Sequence, residues 1–211
     1  MSHVSPRWSQ WRQITDLEEY HSRWQRMERE GRAGHGEADF IEGYLPARVL
    51  DAGCGMGRVA IELHRRGIAV EGADLDADLL AYARADAPQL TWHHTDLAIM
   101  RLDRTFDVVA MPGNVMIFCR IDQRAPIVAT LASHLADGGW LVAGFSLEDR
   151  ADALTLAEYD ELCDAAGLVQ VERYATWERV PYDSGSYAVS VHRPRRSRVV
   201  DEQYVAADTR V

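Results

Sequence analysis

The residues best suited to do chemistry sit in the run Val49-Leu50-Asp51-Ala52-Gly53-Cys54-Gly55-Met56-Gly57. An apolar stretch ends in a carboxylate, and alternating glycines then lead into a helical pattern. Glycines at such a strand-to-helix turn let the backbone approach a ligand closely. A dinucleotide fingerprint requires Gly-x-Gly-x-x-Gly or Ala. Here the last position of that pattern is Arg58, and the third glycine falls one residue early, at Gly57. Asp51 would repel a pyrophosphate but would suit a ligand carrying an ammonium and a sulfonium. Spacing and charge together favour a cationic nucleoside over a dinucleotide, which leaves a nicotinamide oxidoreductase as the weakest of the readings.

Two further carboxylates stand at matching places. Asp74 closes the second apolar run about 20 residues past the loop, where a carboxylate can accept both hydroxyls of a ribose. The alternative, a turn or capping aspartate, is already served by Asp76. Asp96-Leu97 follows the third run, placed to accept from an adenine amino group and to wall its ring, although a lone loop aspartate reads the same way. His93 and His94 are neighbours on one strand, so they point to opposite faces and cannot share a metal. Cys54 has no partnered base and is not expected to be a nucleophile.

The elements that must position these groups alternate. Strands are expected at 48–52, 69–74, 90–94, 106–111 and 140–145. Between them lie a helix with Val59, Ala60 and Leu63 inward, one with Leu79, Leu80 and Ala83 inward, and one carrying Ile127, Leu131 and Leu135 and stopped by Gly138-Gly139. Thr155 and Glu158 form a capping box for a helix burying Leu156, Tyr159, Leu162 and Cys163. Two β-rich stretches, 168–177 and 186–192, follow. The loop between them is short for a crossover, so that pair is expected to be antiparallel. The whole reads as an α/β fold with a doubly wound, mostly parallel sheet. Residues 1–46 form a helical preface, in which Leu17, Tyr20, Trp24 and Met27 follow a helical stripe between Asp16 and Glu30 and a second short helix is expected from Glu37 to Tyr44. Residues 47–193 form the main domain. The tail 194–211, with Arg195, Arg196 and Arg198, reads as a mobile end.

A chain of 211 residues with 47% hydrophobic content affords one domain with a sizeable core. The net charge of −10 argues against a general grip on nucleic acid or anionic membrane. Cys54, Cys119 and Cys163 are far apart and lack metal spacing, so reduced thiols and a cytoplasmic location are expected. No signal peptide or spanning segment is read from the sequence, and no metal is expected.

As an ordered set, these motifs resemble the class I S-adenosylmethionine-dependent methyltransferases. The matching segments are 51–57, Glu71-Gly72-Ala73-Asp74-Leu75-Asp76, Thr95-Asp96-Leu97, Phe106-Asp107-Val108-Val109 and Leu135-Ala136-Asp137-Gly138-Gly139. The resemblance implies a Rossmann-like, seven-stranded sheet with a reversed last strand. It implies that Gly53, Gly55 and Gly57 pass the methionine part of the cofactor, with Asp51 beside it directly or through water. Asp74 would hold the ribose and Leu75 would lie on one adenine face. Asp96 would accept from the adenine amino group, Leu97 would offer its backbone, and the carbonyl near Met111 would reach the methionine ammonium. The preface would act as a lid.

Methyl transfer asks mainly for alignment of the acceptor and exclusion of water, so no base need be visible. Asn114, in Met111-Pro112-Gly113-Asn114, could orient an acceptor or be an ordinary turn asparagine. Tyr20 and Trp24, with His35 nearby, could face a substrate or simply pack. The segment departs from the Asn-Pro-Pro-aromatic motif used on planar amide and adenine nitrogens. The leading expectation is therefore methyl transfer to a small molecule, without nucleic-acid or membrane partners. The alternative is a non-catalytic S-adenosylmethionine-binding sensor or partner subunit. Oligomeric state is not legible in the sequence.

Overall fold

The structure is a computed structural model that describes residues 4–31, 34–148, 150 and 152–195. Its strands are β1 (Arg48–Ala52), β2 (Ala69–Asp74), β3 (Thr91–His94), β4 (Phe106–Met111), β5 (Leu135–Ser146), β6 (Leu168–Tyr174) and β7 (Tyr187–Pro194). Its helices are α1 (Pro6–Ile14), α2 (Leu17–Arg29), α3 (Gly36–Glu42), α4 (Arg58–Arg65), α5 (Ala77–Asp86), α6 (Val115–Phe118), α7 (Ile121–Ser133) and α8 (Leu156–Ala165). The strands form one seven-stranded sheet in the order β3-β2-β1-β4-β5-β7-β6. β7 is antiparallel to both β5 and β6, and the other neighbours are parallel.

A parallel sheet covered on both faces needs strands that are apolar throughout, which is why β1 and β4 show no polar alternation. Leu50, Val109 and Leu141 point into one core with Leu131, Phe145 and Tyr159. Val49, Val108 and Val142 point into the other with Val59, Leu63 and Leu80. The β1–β4 register sets Asp51 beside Ala110, and the β1–β2 register sets it beside Gly72. The carboxyl ends of β1, β2 and β4 therefore open on one edge of the sheet. No helix among the described residues is long and apolar enough to cross a membrane.

The seventh helix departs from the sequence reading. It ends at Ser133, and Leu135 already belongs to β5, paired with Phe106. His134 forces the reversal: its carbonyl accepts from Phe106 N–H (2.8 Å), while its ring bonds Thr130 O and Leu102 N–H. Leu135 is buried in the core under either assignment, so periodicity alone could not separate them. Gly138 (φ 74°) and Gly139 then lie within β5 and do not end a helix.

The preface holds three helices, one more than its sequence pattern suggests. Ser5 caps α1 by accepting from Trp8 N–H (3.1 Å), with Pro6 at the first helical position. Asp16 caps α2 through Glu19 N–H (3.0 Å). Neither α1 nor α2 buries a residue fully. Ion pairs tie them to the body, Arg7 to Glu148 (2.9 Å), Arg12 to Asp76 (2.7 Å) and Glu28 to Arg65 (2.9 Å), and His21 hydrogen-bonds Asp86 (2.6 Å). Such half-exposed pairs each contribute about 0–1 kcal/mol and are screened by salt. Raising sodium chloride from about 0.05 M to about 1 M should therefore speed amide exchange in residues 6–29 by roughly 3- to 10-fold, with β1, β4 and β5 unchanged. Hydrogen–deuterium exchange read by mass spectrometry checks this, and equal protection at both salt concentrations would contradict it. The terminal tail after Arg195 lies outside the described residues.

Candidate active site

At the open sheet edge, beneath the preface, lies a cavity of about 1120 Å³. Asp51 sits at its floor, 1% exposed. Its Oδ2 accepts from Ala60 N–H at the start of α4 (3.1 Å), while Oδ1 is buried with no hydrogen-bond partner. Burial pushes the Asp51 carboxyl up to about 7; the Ala60 N–H and Arg58 oppose that rise, and Asp74 and Glu37 add to it. A buried, unsatisfied carboxylate oxygen on a cavity floor is costly, and a ligand ammonium would relieve that cost.

Asp74 ends β2 on the same wall. Its Oδ2 accepts from Gly55 N–H (2.7 Å) and its Oδ1 from Asp76 N–H (2.8 Å), so it fixes the glycine loop as well as facing the cavity. Burial raises its carboxyl too, against the pull of those N–H donors. Asp76 in turn caps α5 through Asp78 and Leu79 N–H. Leu75, Asp96 and Leu97 also line the cavity. Asp96 accepts from Ala98 N–H (2.9 Å) and from the Gln123 side chain (3.3 Å).

The three loop glycines divide the work. All have positive φ, at 78°, 55° and 81°. Gly55 faces the cavity, where a Cβ would meet only Leu79 at 3.9 Å. Gly53 also lines it, held close to α6: a Cβ there would lie 2.5 Å from Val115. Gly57 is not on the wall; it is the αL cap of α4, and its missing Cβ leaves room for the Trp92 ring. Met111 also stands apart. It is wholly buried in the core, and the wall resumes at Pro112 and Gly113.

Tyr20 and Trp24 line the cavity from α2. Asn114 lines it as well, but in a left-handed turn (φ 69°) whose side-chain oxygen accepts from Ser146 N–H (2.7 Å). Asn114 thus sits in a turn on the cavity wall and fastens the end of β5. His35 is off the wall: it meets Glu28 (3.7 Å) and Glu62 (3.9 Å), a trio whose negative charge Arg65 also shares. His93 pairs with Glu71 and His94 with Leu75 O, on opposite sides of β3. Burial drives the Cys54 thiol well above its ordinary range, so it stays protonated.

Sequence reasoning overlooked Trp8, Trp11 and Phe118, which complete the cavity wall. The first two ride on α1, whose only strong signal is Ser5-Pro6. Phe118 lies on α6, a single turn too short to show periodicity.

The donor set suits S-adenosylmethionine. One unsatisfied carboxylate oxygen can meet an ammonium, a second carboxylate can accept hydroxyls, and a glycine opens the wall between them. A family described as a methyltransferase domain matches residues 49–139. A TehB-like SAM-dependent methyltransferase from Corynebacterium glutamicum is 32% identical, covering 84% of this chain and 97% of its own, with a TM-score of 0.76. A dTDP-3-amino-3,4,6-trideoxy-alpha-D-glucopyranose N,N-dimethyltransferase from Streptomyces venezuelae is 32% identical over 108 residues, 50% of this chain and 46% of that protein. The chain thus aligns with just under half of that relative's length. Magnesium-protoporphyrin O-methyltransferase from Rhodobacter capsulatus is 28% identical over 188 residues, 78% of this chain and 84% of that protein. On the strength of the Corynebacterium likeness along nearly that whole chain, together with this glycine loop and its carboxylates, the protein belongs to the class I S-adenosylmethionine-dependent methyltransferases.

Proposed function

We propose that the chain transfers the methyl group of S-adenosylmethionine to a small-molecule acceptor held in the cavity. The observation that carries this is the unsatisfied Oδ1 of Asp51 on the floor of a chamber whose other walls include Asp74, Asp96 and an aromatic lid. Asp51 would take the methionine ammonium, Asp74 the ribose hydroxyls and Asp96 the adenine edge, with Leu75 and Leu97 against the ring. Gly53 and Gly55 would pass the methionine part, while Gly57 sets the angle of α4. When bound, the cofactor supplies an electrophilic methyl carbon; the chain's own part is to align the acceptor and keep water out.

Two relatives point to small acceptors by name, an amino sugar and a porphyrin. The chamber of about 1120 Å³ favours an enzyme over a sensor, which needs no room beyond the cofactor. The net charge of −10 fits an acceptor other than nucleic acid, and the free thiols of Cys54, Cys119 and Cys163 fit a cytoplasmic setting. In this reading 1–46 is a lid, 47–193 the catalytic domain and 194–211 an appendage.

Asp74→Ala removes both the ribose acceptor and the anchor of Gly55. Calorimetry with S-adenosylhomocysteine should show a loss of affinity of about 30-fold or more, the effect of deleting a partly buried charged acceptor. Wild-type affinity in that variant would overturn the site assignment.

A further inference from the structure

We infer that the stacked pair Trp8 and Trp11 is the recognition face for a small organic amine acceptor, an inference that rests on the cofactor reading above. The lid carries a chain of rings. Trp8 stacks on Trp11 at 4.8 Å, Trp8 meets Phe118 edge-on at 5.3 Å, and Trp11 meets Tyr20 at 5.7 Å. The outer rings already hold cations: Arg7 lies over Phe118 (5.5 Å), Arg23 over Tyr20 (5.1 Å) and Arg58 over Trp24 (4.8 Å). Among the described residues no guanidinium lies over Trp8 or Trp11, yet both are only half buried and both line the cavity. Each indole covers one face of the other, and the half-buried pair offers its remaining electron-rich surface on the cavity wall to a positive group or to a ring bearing one.

The rest of this wall narrows the acceptor further. Beside the two indoles stand Ser5, Asn114, Phe118 and Cys119. The Ser5 hydroxyl donates to Phe118 O (2.5 Å), and burial pushes the Cys119 thiol up to about 12. None of these is a base at neutral pH. The chain contains no lysine, and its arginines stay protonated. His21, the histidine on the cavity wall among the described residues, packs at a tilt against Tyr82 (4.7 Å) and is bonded to Asp86 (2.6 Å) at the far end of α5. Of the wall's carboxylates, Asp51, Asp74 and Asp96 serve the cofactor in this reading, while Glu28 is paired with Arg65 and Asp86 with His21, so a hydroxyl acceptor would lack a free base to take its proton. Thiolates, phenolates and carboxylates would bring negative charge against ring faces and the carboxylates of Asp51, Asp74 and Asp96. An amine arrives as its ammonium, releases one proton to water far more readily than a hydroxyl can, and so exposes a lone pair. Its nitrogen forms the new N–C bond as the methyl–sulfur bond breaks, the pair stays on sulfur, and the positive charge moves to nitrogen. The product ammonium then loses a proton to water. The indole faces favour the charge as it arrives on nitrogen.

The test uses matched probes on the full-length protein saturated with S-adenosylhomocysteine: phenethylamine and phenylacetate, with the same ring and opposite charge. Calorimetry should find phenethylamine bound about tenfold or more tightly than phenylacetate. Trp11→Leu, which keeps apolar volume but loses the π-face, should weaken phenethylamine about fivefold or more, and Trp11→Phe less than about twofold. S-adenosylhomocysteine affinity should be unchanged in both variants. Equal or tighter phenylacetate binding, equal losses in the two variants, or no phenethylamine binding at millimolar concentration would overturn the amine assignment alone. Failure of the wild type to bind S-adenosylhomocysteine would overturn the cofactor reading and this inference with it.

Discussion

Asp51→Asn should bind S-adenosylhomocysteine about 100-fold more weakly than wild type while its ligand-free form melts at a higher temperature above neutral pH. The two effects have one cause. The Asp51 carboxyl is 1% exposed, one of its oxygens has no hydrogen-bond partner, and burial raises it from 3.8 to about 7. Below about 4 both folded and unfolded chains carry it protonated, and no penalty arises. Between about 4 and 7 the unfolded chain ionises while the fold still holds the proton, so stability falls as pH rises. Above about 7 the full penalty applies, roughly 2–4 kcal/mol after allowing for relaxation around a buried charge. An asparagine keeps an oxygen for the Ala60 N–H and carries no charge. Its melting temperature should therefore exceed wild type by about 5–10 °C at pH 8, with the gain shrinking to nothing near pH 4. With ligand the order reverses, because the ammonium loses its charge-assisted bond, worth about 3 kcal/mol at a buried site. Differential scanning calorimetry across pH, with and without S-adenosylhomocysteine, reads both effects. A gain that does not change with pH, or unaltered affinity, would remove Asp51 from the ammonium site.

That trade explains what the sequence could and could not reveal. The place of Asp51 on the cavity wall was legible because it ends an apolar strand just before the glycines, where its charge argues against a diphosphate. Asp74 and Asp96 were legible through their spacing from the loop. The parallel sheet followed from strands that alternate with helical patterns, and the reversed β7 from the short connection before it. Where a residue satisfied two patterns at once the reading failed. Leu135 continues the stripe of α7 yet opens β5, and only the tertiary bonds of His134 decide between them. The division of labour among Gly53, Gly55 and Gly57 was equally hidden, because it depends on which side chain lies opposite each. The preface was partly visible as an aromatic stripe, but α1 and α6 are too short or too weakly patterned to place Trp8, Trp11 and Phe118 on the cavity wall.

Gly57→Ala and Gly72→Ala should both destabilise the fold severely, and Trp92→Leu should rescue mainly the second. A Cβ at either position would lie 2.4 Å from the Trp92 ring. That ring cannot easily retreat: it is 9% exposed and its Nε1–H donates to Ala87 O (3.0 Å). Each alanine should therefore cost about 1–3 kcal/mol through overpacking. Gly57 bears a second burden, since its φ of 81° strains any residue with a Cβ by about 1–2 kcal/mol. On a Trp92→Leu background the clash with the indole is gone. There Gly72→Ala should keep only a small cost, because the Cys54 Sγ that its Cβ would still meet at 2.9 Å can move into the space the ring vacates. The resulting coupling is about 1–3 kcal/mol, whereas Gly57→Ala should retain its backbone strain. The residual strain falls where it matters for binding, because Gly57 caps α4 and α4 carries the Ala60 N–H that holds Asp51. Gly57→Ala should thus lower S-adenosylhomocysteine affinity even on the Trp92→Leu background, and Gly72→Ala should leave it at the level of that background. Urea unfolding and calorimetry on the four alanine variants separate the outcomes. Equal rescue at both positions would mean that the third loop glycine serves only to make room for the indole, with no role in setting the turn that aims α4 at the site.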